Sequence, residues 1–424
     1  MVSITGCSDT FVADYLVDHG YARVSAGPAA VADEATALAH PHRWWNWPRG
    51  GGLARASPAV MSRWCVHPHG INPFGPRIPG SVECVTVVAF SREHGYQRIF
   101  GDVLGMLRAA GVDAAGVVGL VEGDEAGSDR ATGVAKSLAA CGVPVVVRES
   151  DGSEAGGPVL VRLLYDLGAD CSPDCSPSCL CGRLLPLADL DLTHRHQNRL
   201  GLLVRVEGVA AAARAGGGTT GFPDMAELRE RVAGRIGDEA ADAAAHAARS
   251  LALLLGLGVV PGPRGAGHVV RRLVTAQFTR LFAGRVPLDF LDDMVCRAAE
   301  LFGGVAGFPF CDEPLVRRRL DAERVRFDRA VGRARQRYVR TVLHRPPGDD
   351  AARALAVLMT EHGAPLGLLV MWLADDGIAV PSRELARWTL GERSSERGAG
   401  RPAADARFGR SVGAGGPPSF PGSP

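Results

Sequence analysis

The sequence predicts an N-terminal α/β domain with a parallel sheet, a mostly helical C-terminal domain and a disordered tail. Three observations predict it. Up to residue 165, short valine-rich runs alternate with stretches of helical periodicity, the rhythm of strand–helix–strand units. From 166 to 200 that rhythm gives way to a connector rich in cysteine and histidine. From 201 to 390 apolar residues recur at helical spacing, and from 391 to 424 Gly, Pro, Ser, Ala and Arg dominate, a composition that cannot bury a core.

Bulk composition narrows the function classes. The 424 residues leave room for two or three domains. With 46% hydrophobic and 22% charged residues, the chain has the balance of a soluble globular protein. A formal net charge of +1 supplies no global field for nucleic acid or an acidic membrane. Lys136 is the only lysine, and with 54 Gly and 28 Pro this points to GC-rich coding DNA, as in an actinobacterium, its phages or a large DNA virus. No basic start leads into a long apolar run, and no charge-free apolar window reaches about 18 residues, so neither a signal peptide nor a membrane span is expected. An intracellular site, cytoplasmic or nuclear, is expected, where clustered thiols are more often metal ligands than disulfides.

In chain order, Val2–Thr5 predicts a strand, Gly6–Thr10 a turn, and Phe11–Asp18 a helix with Phe11, Val12, Tyr15 and Leu16 apolar. Gly20 stops that helix, and a second strand starts at Ala22. Residues 40–80 interleave Trp44, Trp45, Trp47 and Trp64 with histidines and prolines. Such a segment serves either as a base-stacking lip or as aromatic plugs against the sheet. Strands follow at Val82–Phe90, Gly116–Val121 and Val143–Val147, with helices at 99–110 and 130–140 between them. In a parallel sheet, ligands sit beyond the carboxyl ends of the strands. That placement makes the turn carrying Glu122, Asp124, Glu125 and Asp129 a candidate holder of Mg²⁺ or a ribose.

Ile4-Thr-Gly6, Asp9-Thr10 and the run from Val12 to Ser25, with Gly20-Tyr21-Ala22-Arg23 inside it, resemble the opening of deoxynucleoside monophosphate kinases and related P-loop kinases. The resemblance implies a nucleotide whose phosphates lie among Gly6, Ser8, Asp9 and Thr10 at a helix N-terminus, with Mg²⁺ at the acidic turn around Asp124. The loop departs from the family pattern: only two residues separate Gly6 from Asp9, and the Gly-Lys pair is absent. Without that lysine, nucleotide binding survives as an implication better than phosphoryl transfer does.

Cys171, Cys175, Cys179 and Cys181 are spaced C-x3-C-x3-C-x-C, with Ser-Pro turns between them, and His194 and His196 follow. Short spacings of this kind suit a structural zinc. Three cysteines plus one of the histidines converge more easily than four cysteines drawn from eleven residues. Free or redox-active thiols and disulfides are the other uses of such a cluster. No carboxylate stands beside it to activate a zinc-bound water, so a catalytic zinc is not implied.

The longest predicted helix runs from Glu313 to about His344, with Val316, Leu320, Phe327, Val331, Tyr338 and Val342 on one side. Ten arginines fall in it: Arg317, Arg318, Arg319, Arg324, Arg326, Arg329, Arg333, Arg335, Arg337 and Arg340. They form either a phosphate-contacting stripe or, with Asp321, Glu323 and Asp328, a salt-bridged solvated face. No G-x-S-x-G motif marks a serine nucleophile. Two functional readings remain. One is a nucleotide-binding protein with a kinase-like fold, degenerate at its phosphate loop. The other is a non-enzymatic interaction or structural protein, for example of a large DNA virus, with a structural metal and a protein partner docked on its helices. Nucleic acid stays open as a partner, and a membrane is not called for.

Overall fold

The computed structural model of the protein describes residues 10–24, 58–67, 81–91, 95–123, 129–149, 160–168, 183–191, 199–217, 223, 225–305, 307–343, 358 and 364–378. The chain divides into two compact units, Met1–Arg333 and Ala334–Pro424.

In the first unit the strands are β1 (Ala22–Arg23), β2 (Ala59–His67), β3 (Ser81–Ser91), β4 (Val117–Gly123), β5 (Val145–Glu149), β6 (Leu160–Asp166), β7 (Leu184–Asp191) and β8 (Arg199–Arg205). They form one sheet in the order β1-β2-β3-β8-β7-β6-β4-β5. The α/β half followed by helices matches the expectation, but the sheet is mixed rather than parallel throughout. Only β1–β2 and β4–β5, at the two edges, pair in parallel. The interior neighbours are antiparallel. The connections explain this. Helix α3 (Asp129–Ala140) carries the chain from β4 to β5 as a crossover, whereas residues 192–198 between β7 and β8 are too few for the dozen or so that a crossover needs.

The sheet runs on past residue 165. Strands β7 and β8, within the stretch expected to be connector and the start of the helical domain, lie in its interior. Pro186 hides β7 from a pattern search. It is accommodated because β8 pairs with β7 only over Ala188–Asp191 and the β6–β7 register shifts at Leu163/Leu164.

The unit also holds helices α1 (Phe11–Asp18), α2 (Tyr96–Ala109), α4 (Val206–Ala215), α5 (Ala226–Ile236), α6 (Asp238–Gly256), α7 (Gly265–Ala283), α8 (Phe290–Phe302) and α9 (Glu313–Tyr338) as far as Arg333. Helix α4 continues directly from β8 and buries Val206, Val209, Ala210, Ala212 and Ala213. It packs on β3 and β7, so closely that a Cβ at Gly208 would overlap the Pro186 carbonyl oxygen. Helix α6 is alanine-rich on its buried side, which lets it approach α5, α7, α8 and β3 together.

One buried ion pair ties these layers. The β3–β8 ladder ends at Val85↔Arg205. The next amide on β3, that of Cys84, donates instead to Oε1 of Glu207, in the first turn of α4, at 3.1 Å. Arg249 of α6, only 1% exposed, places Nη1 2.9 Å from the same oxygen. The Arg249 guanidinium lies 5.7 Å from the Trp64 ring and 5.2 Å from the Phe302 ring. Trp64 in turn meets Phe302 and Phe308 edge-on, at 6.0 and 5.2 Å. Trp64 is thus a plug between β2 and the helices, one of the two uses expected of the tryptophans; Trp44, Trp45 and Trp47 lie outside the described residues.

In the second unit, Tyr338 packs on Trp372 of α10 (Leu366–Asp375) at 5.5 Å between ring centroids. Arg335 stacks 4.9 and 5.3 Å from the two rings and reaches Asp376 at 3.1 Å. The apolar run at 365–374, which the helical pattern of the C-terminal half reads as a helix, is α10; the tail at 391–424 lies outside the described residues.

Glu207→Gln leaves the Arg249 charge buried without its counter-ion and is expected to cost about 3–5 kcal/mol in urea unfolding. Gly208→Ala forces α4 off the Pro186 carbonyl and is expected to cost about 1–3 kcal/mol.

Candidate functional site

Of the residues expected to hold phosphates, Thr10 is described, while Gly6, Ser8 and Asp9 lie outside the described residues. Thr10 is the N-cap of α1, and its side chain makes no capping hydrogen bond. Helix α1 is anchored by Phe11, Val12, Ala13 and Leu16, all buried. Gly20, at φ +89°, closes it in a conformation that a Cβ would strain. The Gly-Tyr-x-Arg segment that followed in the resemblance is held by internal partners. The Tyr21 hydroxyl donates to Asp102 of α2 at 2.8 Å. Burial first, then that carboxylate, push its phenol well above the usual range. Arg23 pairs with Asp14 of α1. Both residues brace β1 against the helices.

The acidic turn falls elsewhere. Strand β4 ends at Gly123, and Asp124 lies outside the described residues. In the sheet order, β4 stands six steps from β1, roughly 29 Å at the usual strand spacing. The head of α1, which packs on β1 and β2, and the carboxyl end of β4 therefore do not share a crevice between adjacent strands.

Cys171, Cys175, Cys179 and Cys181, with His194 and His196, also lie outside the described residues, but the strands around them are clear. The cysteines belong to the loop joining β6 to β7, two antiparallel neighbours. That loop is clamped at its base. The Arg183 Nε and Nη2 donate to the two carboxylate oxygens of Asp166 at 2.6 and 2.5 Å, and the Leu167 amide donates to the Arg183 carbonyl at 3.0 Å. The hydrogen bonds from Arg183 hold the Asp166 carboxyl below its ordinary range. The histidines come after the other end of β7 in the chain, and the two ends of that strand are about 24 Å apart at the usual rise per strand residue. The fold thus separates the strand ends that flank the two halves of the expected cysteine–histidine set. Among the described residues, no group of three or more His, Cys, Asp or Glu side chains is placed to hold a metal.

The arginines of α9 divide by face. Arg317 reaches Glu313 and Asp293, and Arg324 reaches Asp321 and buried Asp292. Arg319 donates to the carbonyls of Leu255 and Val259 at the end of α6. These side chains fit the salt-bridged expectation. Arg318, Arg326, Arg329 and Arg333 are exposed. Of these, Arg326 has one long contact, 4.0 Å to Glu323, and the other three make no ion pair among the described residues.

Sequence periodicity gave no warning of two exposed apolar residues, Phe310 at 88% and Val260 at 63%. Both sit at the C-terminal end of α6: a Cβ on Gly256 would lie 3.1 Å from the Phe310 carbonyl, and Val260 follows that helix. Pro309 and Pro261 beside them are the only local signal. Nearby, burial pushes the Cys296 thiol up to about 11 and raises that of Cys311, so neither is an activated nucleophile. Among the described residues no helix is long and apolar enough to cross a membrane.

No protein-family model matches the chain. No curated protein matches it either. Solved structures align with parts of it, two of them threonyl-tRNA synthetase chains. One is the RNA-binding domain of threonyl-tRNA synthetase from Cryptosporidium parvum Iowa II, at 11% identity and TM-score 0.24, covering 43% of this chain and 54% of that one. The other is a threonyl-tRNA synthetase, ThrRS-1, from Aeropyrum pernix, at 11% identity and TM-score 0.30, covering 58% and 68%. The chain thus spans about half of the first of these. Superpositions this loose carry no conclusion about fold or function.

Because its folded-state carboxyl is held low, the Asp166–Arg183 clamp contributes its full stability above the ordinary carboxylate range and loses it as pH falls below about 4. Asp166→Asn is expected to lower the urea midpoint at pH 7 and to have a smaller effect at pH 3.

Proposed function

We propose that the protein binds a nucleotide by its phosphates at the head of α1 and does not transfer a phosphoryl group. Two features support the binding: the Ile4–Ser25 segment resembles the opening of nucleotide kinases, and its Gly6–Thr10 turn leads into the N-terminus of α1. The dipole of a helix N-terminus favours an anion there. Two features argue against transfer. The loop carries no Gly-Lys pair. Strand β4, which the acidic turn follows in the chain, is six steps from β1 in the sheet, whereas phosphoryl transfer needs Mg²⁺ beside the phosphates. Thermal shift with nucleoside mono- and triphosphates, with and without Mg²⁺, tests the reading. A ligand at 100 times its Kd adds about 2.7 kcal/mol of stability. A shift that disappears in the Asp9→Ala, Thr10→Ala variant is the expected result. No shift with any nucleotide sinks it.

The second reading, a non-enzymatic interaction protein with a structural zinc, is favoured by the exposure of Phe310 and Val260 on the helical half. An exposed aromatic next to a rigid helix end is the usual form of an interface anchor. In this reading we take the metal ligands to be the four cysteines between β6 and β7 rather than a set shared with His194 and His196, because β7 separates the strand ends that flank the two groups in the chain. Metal analysis of purified protein is then expected to give one zinc per chain, lost in Cys175→Ser, Cys179→Ser and retained in His194→Ala, His196→Ala. Zinc lost in the histidine variant contradicts the assignment.

A further inference from the structure

We propose that the exposed arginine face of α9 binds the phosphate backbone of a nucleic-acid duplex, without reading its sequence. At 3.6 residues per turn, Arg318, Arg326, Arg329 and Arg333 project within an arc of roughly 80°. Ala322 falls inside that arc, with Val325 and Gly332 at its border, so small side chains leave the guanidiniums as the outermost groups. The exposed acids of the same helix, Glu313, Asp321 and Asp328, lie about a sixth of a turn or more outside the arc. Asp321 is already engaged by Arg324.

Spacing and chemistry favour a regular polyanion. Arg326, Arg329 and Arg333 advance along the axis in steps of about 4.5 and 6 Å. That is comparable with the dense, evenly repeated charge of a nucleic-acid strand, about one per 3.4 Å of axis. Guanidinium forks match phosphate oxygens two at a time. A membrane surface is disfavoured, because an interfacial helix needs a broad apolar face and here Val325 is the only large apolar residue exposed beside the arginines. A duplex is favoured over a single strand because, among the described residues of α9, no aromatic side chain lies within this arc for unpaired bases to stack on. The near-neutral net charge of the chain is no obstacle, since the charge is sorted by face: the acid-paired Arg317 and Arg324 take up acids and leave this arc unneutralised. The inference is independent of both the α1 phosphate site and the Phe310 surface.

The test is fluorescence anisotropy of labelled 24-base-pair DNA and RNA duplexes with the full chain, titrated from 50 to 200 mM NaCl. Four phosphate contacts predict a slope of log K against log salt of about −3.6, and Arg329→Ala, Arg333→Ala is expected to reduce it by about 1.8. Because the neutralised arginines are exposed, the variant should melt like the wild type. Arg317→Ala, on the acid-paired face, controls for loss of charge alone and should leave the slope unchanged. DNA and RNA binding alike indicates backbone recognition in general; a preference for one names the form, and either supports the proposal. No duplex binding at 50 mM salt overturns it, as does an unchanged slope in the Arg329/Arg333 variant. Binding to vesicles containing phosphatidylserine in place of duplex also overturns it.

Discussion

A single carboxylate, that of Glu207, stands where three layers of the first unit meet. It accepts the Cys84 amide where the β3–β8 ladder runs out, and it neutralises Arg249, which α6 places against the touching Trp64 and Phe302 rings. A guanidinium this deeply buried is tolerated only when paired and hydrogen-bonded. The position of α4, the docking of α6 on β3 and the edge-on packing of Trp64 therefore depend on one another. The sheet and the helices up to Arg333 belong to one compact unit.

The helices were the most legible part of the sequence. Helix α1 begins and ends at the residues its periodicity indicates, and α2, α3 and α10 fall close to theirs, because each has an apolar stripe that only one period fits. The sheet was less so. Valine-rich runs identify strands without stating the direction of their neighbours, which is set by the connections. Here a helix crosses over from β4 to β5 and too few residues for a crossover join β7 to β8. Strands β7 and β8 were missed because Pro186 and Gly201 break their patterns and because neighbouring cysteines and histidines drew the eye to metal chemistry.

The candidate sites were legible only in part. Residue type can nominate Asp124 or His194, but only topology shows that the strands around them lead to different places. Strand β4 lies six steps from β1, and the two ends of β7 flank the cysteines and the histidines separately. The arginine-rich helix illustrates the opposite case. Its sequence lists acids and bases at mixed spacing, and the fold sorts them, sending Arg317, Arg319 and Arg324 to partners on other helices while leaving Arg318, Arg329 and Arg333 outward. Tyr21 and Arg23, part of the segment that carries the kinase resemblance, bond to Asp102 and Asp14.

The central claim is that the Glu207–Arg249 pair makes the sheet and helices α4–α8 one cooperative body. Native-state hydrogen exchange tests it most directly, through the Cys84 amide and the amides of α6 followed against low concentrations of denaturant. The account predicts that they exchange through a single opening with one free energy and one denaturant dependence. Exchange of α6 through a separate, lower-energy opening, with Cys84 still protected, would contradict it.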